Sequence, residues 1–302
     1  MGFQIKYGFL FFLIGSTTFA QSKLNSFLKP SDTLNVSRRN VVIISEASLA
    51  GLTLLGLNQL WYDDFEKSKF HTINDNNEWL QMDKFGHVFS SYQLSRFGAD
   101  VLKWSGVGKK NQLIYGSALS FAFLTTVEVF DGFSKEWGFS WGDILANGLG
   151  TGLHVGQELL WDKQRISIKY SFHQTGYAIQ NPDKLGNNFQ EQLLKDYNGQ
   201  TYWLSLNLHS FFTDSKMPKW LNIAFGYGAN GMLSGTKDID NQLLTNSARY
   251  RQYYLSFDVN LKSIQTNSPL LKTILSVLNT IKVPFPTLEF SKKGGVFHLL
   301  YY

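Results

Sequence analysis

Residues 141–172 read WGDILANGLGTGLHVGQELLWDKQRISIKYSF, and the spacing of their apolar residues changes part-way along. Up to Trp161 the period is helical. At about 100° per residue, Asp143, Asn147, Thr151, His154 and Glu158 fall within an arc of about 80°. Gly148, Gly152 and Gly156 form a second stripe at four-residue spacing, which predicts close approach of another helix. Ala146, Leu149, Leu153 and Leu160 make a third, apolar face. From Ile166 the period becomes two, with Ile166, Ile168, Tyr170 and Phe172 alternating with Ser167, Lys169 and Ser171. That is a strand pattern. The switch predicts an α+β chain, helical over 21–163 and sheet-forming over 164–302.

Towards the N-terminus, three further apolar runs at 41–61, 85–104 and 113–130 join the one at 144–161. Four such helices with short connections predict a four-helix bundle. Each run approaches the length needed to cross a bilayer, yet each carries polar or charged residues that are costly against lipid. Towards the C-terminus, alternation recurs at 202–209, 220–232, 250–264, 284–290 and 296–302, and a helix-like stretch at 268–282 interrupts it. Six aromatic-rich strands ending on Tyr302 predict an antiparallel sheet or partial barrel associated with a membrane, because outer-membrane barrels carry aromatic girdles and apolar outer faces. Residues 1–20, MGFQIKYGFLFFLIGSTTFA, place Lys6 before an apolar run and end with small residues at Thr18 and Ala20. This is the pattern of a secretory signal peptide. The expected location is therefore the outer membrane, with the periplasm as the alternative.

Composition narrows the function. The 302 residues include 47 aromatics and 26 glycines but no cysteine, which excludes a disulfide framework, a thiolate metal site and lipid attachment at a cysteine. With 43% hydrophobic and 17% charged residues, the chain is not disordered. A net charge of +5 spread along the chain gives nucleic acid no footprint, so no nucleic-acid partner is expected.

The scarce charges sit where helices would otherwise be apolar. Asp83 and His87 are one turn apart at the start of the second run, and Lys84 lies between them. Glu128 and Asp131 end a long uncharged stretch, and Asp143 with Asn147, His154 and Glu158 forms the stripe on the fourth helix. If these faces converge, Asp83, His87, Glu128 and Asp143 are the candidates for acid–base catalysis. His87, Glu128 and Asp143 are those for a divalent metal, and Lys84, Asp131, Asn147, His154 and Glu158 those for ligand binding. The other reading of the same residues is a buried hydrogen-bond network that fixes helix register. No HExxH, GxSxG, phosphate-binding glycine loop or dinucleotide fingerprint occurs, so no organic cofactor is expected.

Asp83-Lys-x-x-His87, Glu128 and Asp143-x-x-Ala-Asn147-x-x-Gly150, together with Gly156-Gln-Glu158 and Ser171-Phe-His173, resemble the YfiM-like predicted periplasmic (lipo)proteins, which have a VanZ-like helical core. The resemblance covers residues of about 80–176. It implies a helical bundle in the cell envelope, in families without a settled activity. The function expected is an accessory or structural envelope protein whose polar seam binds a membrane lipid or envelope glycolipid. The alternative is an envelope hydrolase or transferase using Asp83, His87, Glu128 and Asp143. Oligomeric state is not legible.

Overall fold

The structure, a computed structural model, describes residues 23–59, 66–237 and 249–302. The expected signal peptide at 1–20 lies outside the described residues. Four long helices lead: α1 (Val36–Leu57), α2 (Met82–Trp104), α3 (Lys109–Gly132) and α4 (Trp141–Trp161). Local chemistry sets their starts. Asn35 caps α1 by accepting from the Arg38 N–H, and Ser140 caps α4 by accepting from the Asp143 N–H. α2 follows three consecutive non-glycine residues in the left-handed region, Trp79, Leu80 and Gln81. Hydrogen bonds from Trp79 N–H to the Gly235 carbonyl and from Gln81 Nε2 to the Asn76 carbonyl hold this turn.

The helical region is a three-helix core rather than a four-helix bundle. α2 packs between α3 and α4, and the small residues in its path allow this. A Cβ built on Gly116 would stand 2.6 Å from the Ala99 nitrogen, and one on Gly150 would stand 2.2 Å from the Val88 carbonyl oxygen. α1 contributes Val42 to a small cluster with Leu102 and Val107 at the end of α2, while Val41, Ile44, Leu49, Leu52 and Leu55 stay exposed. The glycine stripe on α4 is likewise not the contact face: Gly152 and Gly156 meet nothing within 4 Å, and Gly148 only the rim of Phe121. By angle, Gly150 falls about 20° from Asp143, so the close-contact face and the polar face of α4 are one. Its leucines face outward instead, with Leu145, Leu149, Leu159 and Leu160 all exposed.

Six strands follow: β1 (Ile166–Phe172), β2 (Gln200–Asn207), β3 (Leu221–Asn230), β4 (Tyr250–Val259), β5 (Phe285–Ser291) and β6 (Gly294–Tyr301). They form one antiparallel sheet in chain order, each strand paired with the next. A helix α5 (Pro269–Leu278) lies between β4 and β5. The sheet curls on itself. Tyr170 of β1 bridges in parallel to Ile281, and the Tyr301 hydroxyl of β6 reaches Thr201 Oγ1 at 3.1 Å and Tyr254 Oη at 2.9 Å.

The alternation in this sheet is inverted relative to a water-soluble one. Its concave face buries Lys169, Ser205, Asn222, Ser256, Asp258 and Thr287, along with Trp203 and Tyr254. Lys169 Nζ and Asp258 Oδ2 form an ion pair at 2.7 Å with both side chains fully buried. Its convex face exposes Leu204, Phe225, Phe257, Leu288, Phe290 and Phe297. Near the start of the sheet α2 covers that convex face. There Met82, Tyr202, Ala229 and Met232 share a core with Trp79, Phe89 and Tyr170, and Gln93 Nε2 donates to the Ile168 carbonyl at 2.6 Å.

Candidate functional site

The first turns of α2 and α4 and the last turn of α3 meet around His87 and Lys84. Lys84 lies one residue after Asp83 and reaches across to α4. Its Nζ stands 2.7 Å from Asp75 Oδ2, 2.8 Å from Asp143 Oδ1 and 3.2 Å from Asp83 Oδ2. His87, one turn further along α2, presents Nε2 to three carboxylates: Glu128 Oε1 at 3.5 Å, Asp143 Oδ1 at 3.7 Å and Asp83 Oδ1 at 3.8 Å. Its other nitrogen, Nδ1, is 3.0 Å from Asn147 Oδ1. That contact fixes the orientation of the ring.

Anchors outside the helices complete the cluster. The Tyr197 hydroxyl donates to Asp83 Oδ1 at 2.8 Å, the Ser140 N–H to Glu128 Oε2 at 3.3 Å, and the Ser140 hydroxyl to Asp75 Oδ1 at 2.6 Å. Glu128 and Asp143 are almost entirely buried, while Asp83 keeps about a quarter of its side chain in contact with solvent. Asn147 Nδ2 is buried with no hydrogen-bond partner among the described residues, and buried Asp143 Oδ1 has the Lys84 ammonium beside it.

These surroundings act on protonation. Burial, followed by the charges of Asp143, Asp131 and Asp83, pushes Glu128 up to about 10, so its carboxyl is neutral at pH 7. Burial and the Asp83 charge push Asp143 up to about 7, against the pull of His87 and Lys84. For Asp83 burial is outweighed by His87, Lys84 and the Tyr197 hydroxyl, which hold it below the usual carboxylate range. Burial works against the Lys84 charge as well, but Asp83 and Asp143 keep it above the ordinary lysine value.

The structure thus brings Asp83, Lys84, His87, Glu128, Asp143 and Asn147 together. Asp131 raises the Glu128 pKa through its charge. His154 and Glu158 lie elsewhere, although they share the polar arc of α4, because the tight contact at Gly150 divides the seam. His154 Nδ1 is 2.8 Å from Ser95 Oγ, and burial lowers its pKa to about 4. Glu158 accepts from Gln164 Nε2 at 2.9 Å and pairs with Lys109 at 3.4 Å. Both line a cavity of about 540 Å³ between helices and sheet, with Arg96, Asp100, Lys109 and Lys262 in its wall.

Three members of the first cluster escaped the sequence reading. Ser140 had a signal, since Ser140-Trp-Gly-Asp143 has the spacing of a capping box. Asp75 and Tyr197 had none, because both come from irregular segments whose position only the folded chain defines. As for what the cluster can hold, Asp83, His87 and Asp143 each offer one ligand atom, and these atoms lie within 4.8 Å of one another.

No curated protein and no solved structure matches this chain. Residues 72–157, which contain α2, α3, most of α4 and every member of the cluster except Tyr197, match a family model described as predicted periplasmic lipoprotein (DUF2279), so the cluster-building part of the chain is similar to exported envelope proteins of unknown function.

Proposed function

We propose that the protein is an accessory component of the outer membrane, seated there by the apolar outside of its sheet and holding a lipid or glycolipid headgroup in its polar cavity. The observation that carries this reading is the inverted alternation of β2–β6. Polar and charged side chains fill the concave face, while Leu204, Phe225, Phe257, Leu288, Phe290 and Phe297 cover the convex one. An antiparallel sheet in water turns its apolar face inward, and the reverse order is that of a sheet against lipid. α1 also exposes an apolar side. It is long and apolar enough to cross a membrane, and almost none of it is buried. α3 passes the same length test but packs against two helices, so it reads as a core helix.

The headgroup reading rests on the cavity wall, where Arg96, Lys109 and Lys262 face Asp100 and Glu158 and a buried Arg96 Nη2 has no hydrogen-bond partner among the described residues. Our reading also gives residues 80–176 a YfiM-like and VanZ-like character, supported by the motif residues that gather at one centre. The test is separation of inner membrane, outer membrane and periplasm from cells expressing the full chain. Recovery with outer-membrane markers is the expected result, and recovery in the soluble periplasm would end the membrane reading.

A second reading has its own observation. His87 Nε2 faces Glu128, Asp143 and Asp83 within 3.8 Å, which is the convergence an acid–base or metal-assisted hydrolase requires. Activity on envelope esters or phosphoesters that disappears in Glu128→Gln while the fold persists would favour it over the accessory role.

A further inference from the structure

The distances around His87 are those of a cation site. Nε2 stands 3.5–3.8 Å from three carboxylate oxygens, too far for hydrogen bonds. Ligand atoms that share a tetrahedral cation at 2.0–2.2 Å stand about 3.4 Å from one another. His87 Nδ1 is engaged by Asn147 Oδ1, which leaves Nε2 facing the carboxylates, in the arrangement by which an outer hydrogen bond orients a metal-binding histidine.

The carboxylates are held in place by their neighbours. Lys84 contacts both oxygens of Asp143, Oδ1 at 2.8 Å and Oδ2 at 2.9 Å, and Asp83 Oδ2, while the Tyr197 hydroxyl donates to Asp83 Oδ1 and the Ser140 N–H to Glu128 Oε2. So held, Asp83 Oδ1, Asp143 Oδ1 and Glu128 Oε1 turn towards His87. Three carboxyl groups, those of Asp75, Asp83 and Asp143, surround one lysine, so the pocket holds more acidic groups than fixed cations. Partly exposed Asp83 gives an approach from solvent.

We propose that Asp83, His87 and Asp143 bind one divalent cation of the zinc or manganese class, with Glu128 beside it and Asn147 as the positioning residue behind His87. One nitrogen and two carboxylate oxygens suit borderline metals rather than calcium or magnesium, which prefer all-oxygen shells. The bound ion takes Asp143 Oδ1 from Lys84, which keeps its contacts with Asp75 and Asp143 Oδ2. This assignment is independent of the membrane reading, because it concerns the helical core alone.

The experiment uses the full chain in detergent micelles, stripped with chelator and dialysed against metal-free buffer. Titration with zinc chloride and with manganese chloride, followed by calorimetry and elemental analysis, is expected to give one bound ion per chain and a higher unfolding temperature. Cobalt(II) loading adds a direct readout, since its visible absorption reports a nitrogen- and oxygen-ligated ion. Asn147→Ala is expected to weaken binding roughly 10- to 100-fold, as loss of an outer partner does. His87→Gln is expected to abolish the stoichiometric site. Failure of the wild-type chain to take up any of the three ions stoichiometrically overturns the proposal, whatever the variants do. So does unchanged affinity in a folded His87→Gln protein.

Discussion

At the residue scale, Lys84 decides whether the first cluster is tolerable. It is the fixed cation for Asp75, Asp83 and Asp143, and its side chain is mostly buried. Lys84→Met removes one partner and leaves the others uncompensated, which should cost about 3–5 kcal/mol in chemical denaturation. Asp75→Asn, which keeps a polar partner, should cost clearly less. His154 gives the pH-dependent prediction. Burial holds it neutral down to about pH 4 in the fold, whereas an unfolded histidine protonates near 6.5. Its contribution is therefore complete above pH 6.5 and is lost as pH falls towards 4, amounting to about 3 kcal/mol at the lower end. The difference in unfolding free energy between wild type and His154→Gln should shrink by about that amount from pH 7 to pH 4, and a difference that stays constant would contradict it. The residues that meet around His87 were legible because helical spacing fixes which side of an element a side chain takes. Asp75 and Tyr197 were not, since no period governs an irregular segment.

At the scale of elements, the four long helices and the six strands of the large sheet were legible from their periods, the short parallel pair Thr72–Ile73 with Phe139–Ser140 was not, and the errors lay in how helices use their faces. The stripe of Gly148, Gly152 and Gly156 has the spacing of a packing seam, but spacing alone does not choose the side that meets a partner. α2 took the polar side of α4 because Asp143, Asn147 and His154 needed burial and pairing, and Gly150 is the residue that lets the two backbones close. Gly150→Ala places a methyl group 2.1 Å from Ser91 Oγ and 2.2 Å from the Val88 carbonyl oxygen, so α2 and α4 must separate and the ion cluster must open. It should lower thermal stability severely, by several kcal/mol. Gly152→Ala meets no atom within 4 Å and removes a poor helix former, so it should be neutral or stabilising by up to ~1 kcal/mol. Equal effects at the two positions would show that α4 presents a different face. α1 teaches the same lesson, since its length and hydropathy read as a fourth bundle helix although much of its apolar side stays exposed.

At the scale of the whole molecule, polar and charged residues outnumber hydrophobic ones among the buried side chains of the described residues, while many large apolar side chains of both helices and sheet are exposed. Exposed apolar faces of this kind mark contact with lipid or with another macromolecule. Phe225 and Phe257 stand on neighbouring strands of the convex face, both about half exposed. Neither side chain fills the concave interior, so replacing both with aspartate should leave folding intact by circular dichroism. Against lipid the same change is expensive, with charged groups on a barrel's outer face costing from about 0 to 4 kcal/mol each according to depth and side chain. Wild-type protein reconstituted with zwitterionic phospholipid vesicles should therefore float with them in a density gradient, and the Phe225→Asp, Phe257→Asp double variant should remain at the bottom. Lys216→Asp, on an exposed loop, is the charge control and should float as wild type does. Wild-type protein that stays at the bottom, or a double variant that floats unchanged, would mean that another macromolecule covers this face instead of lipid.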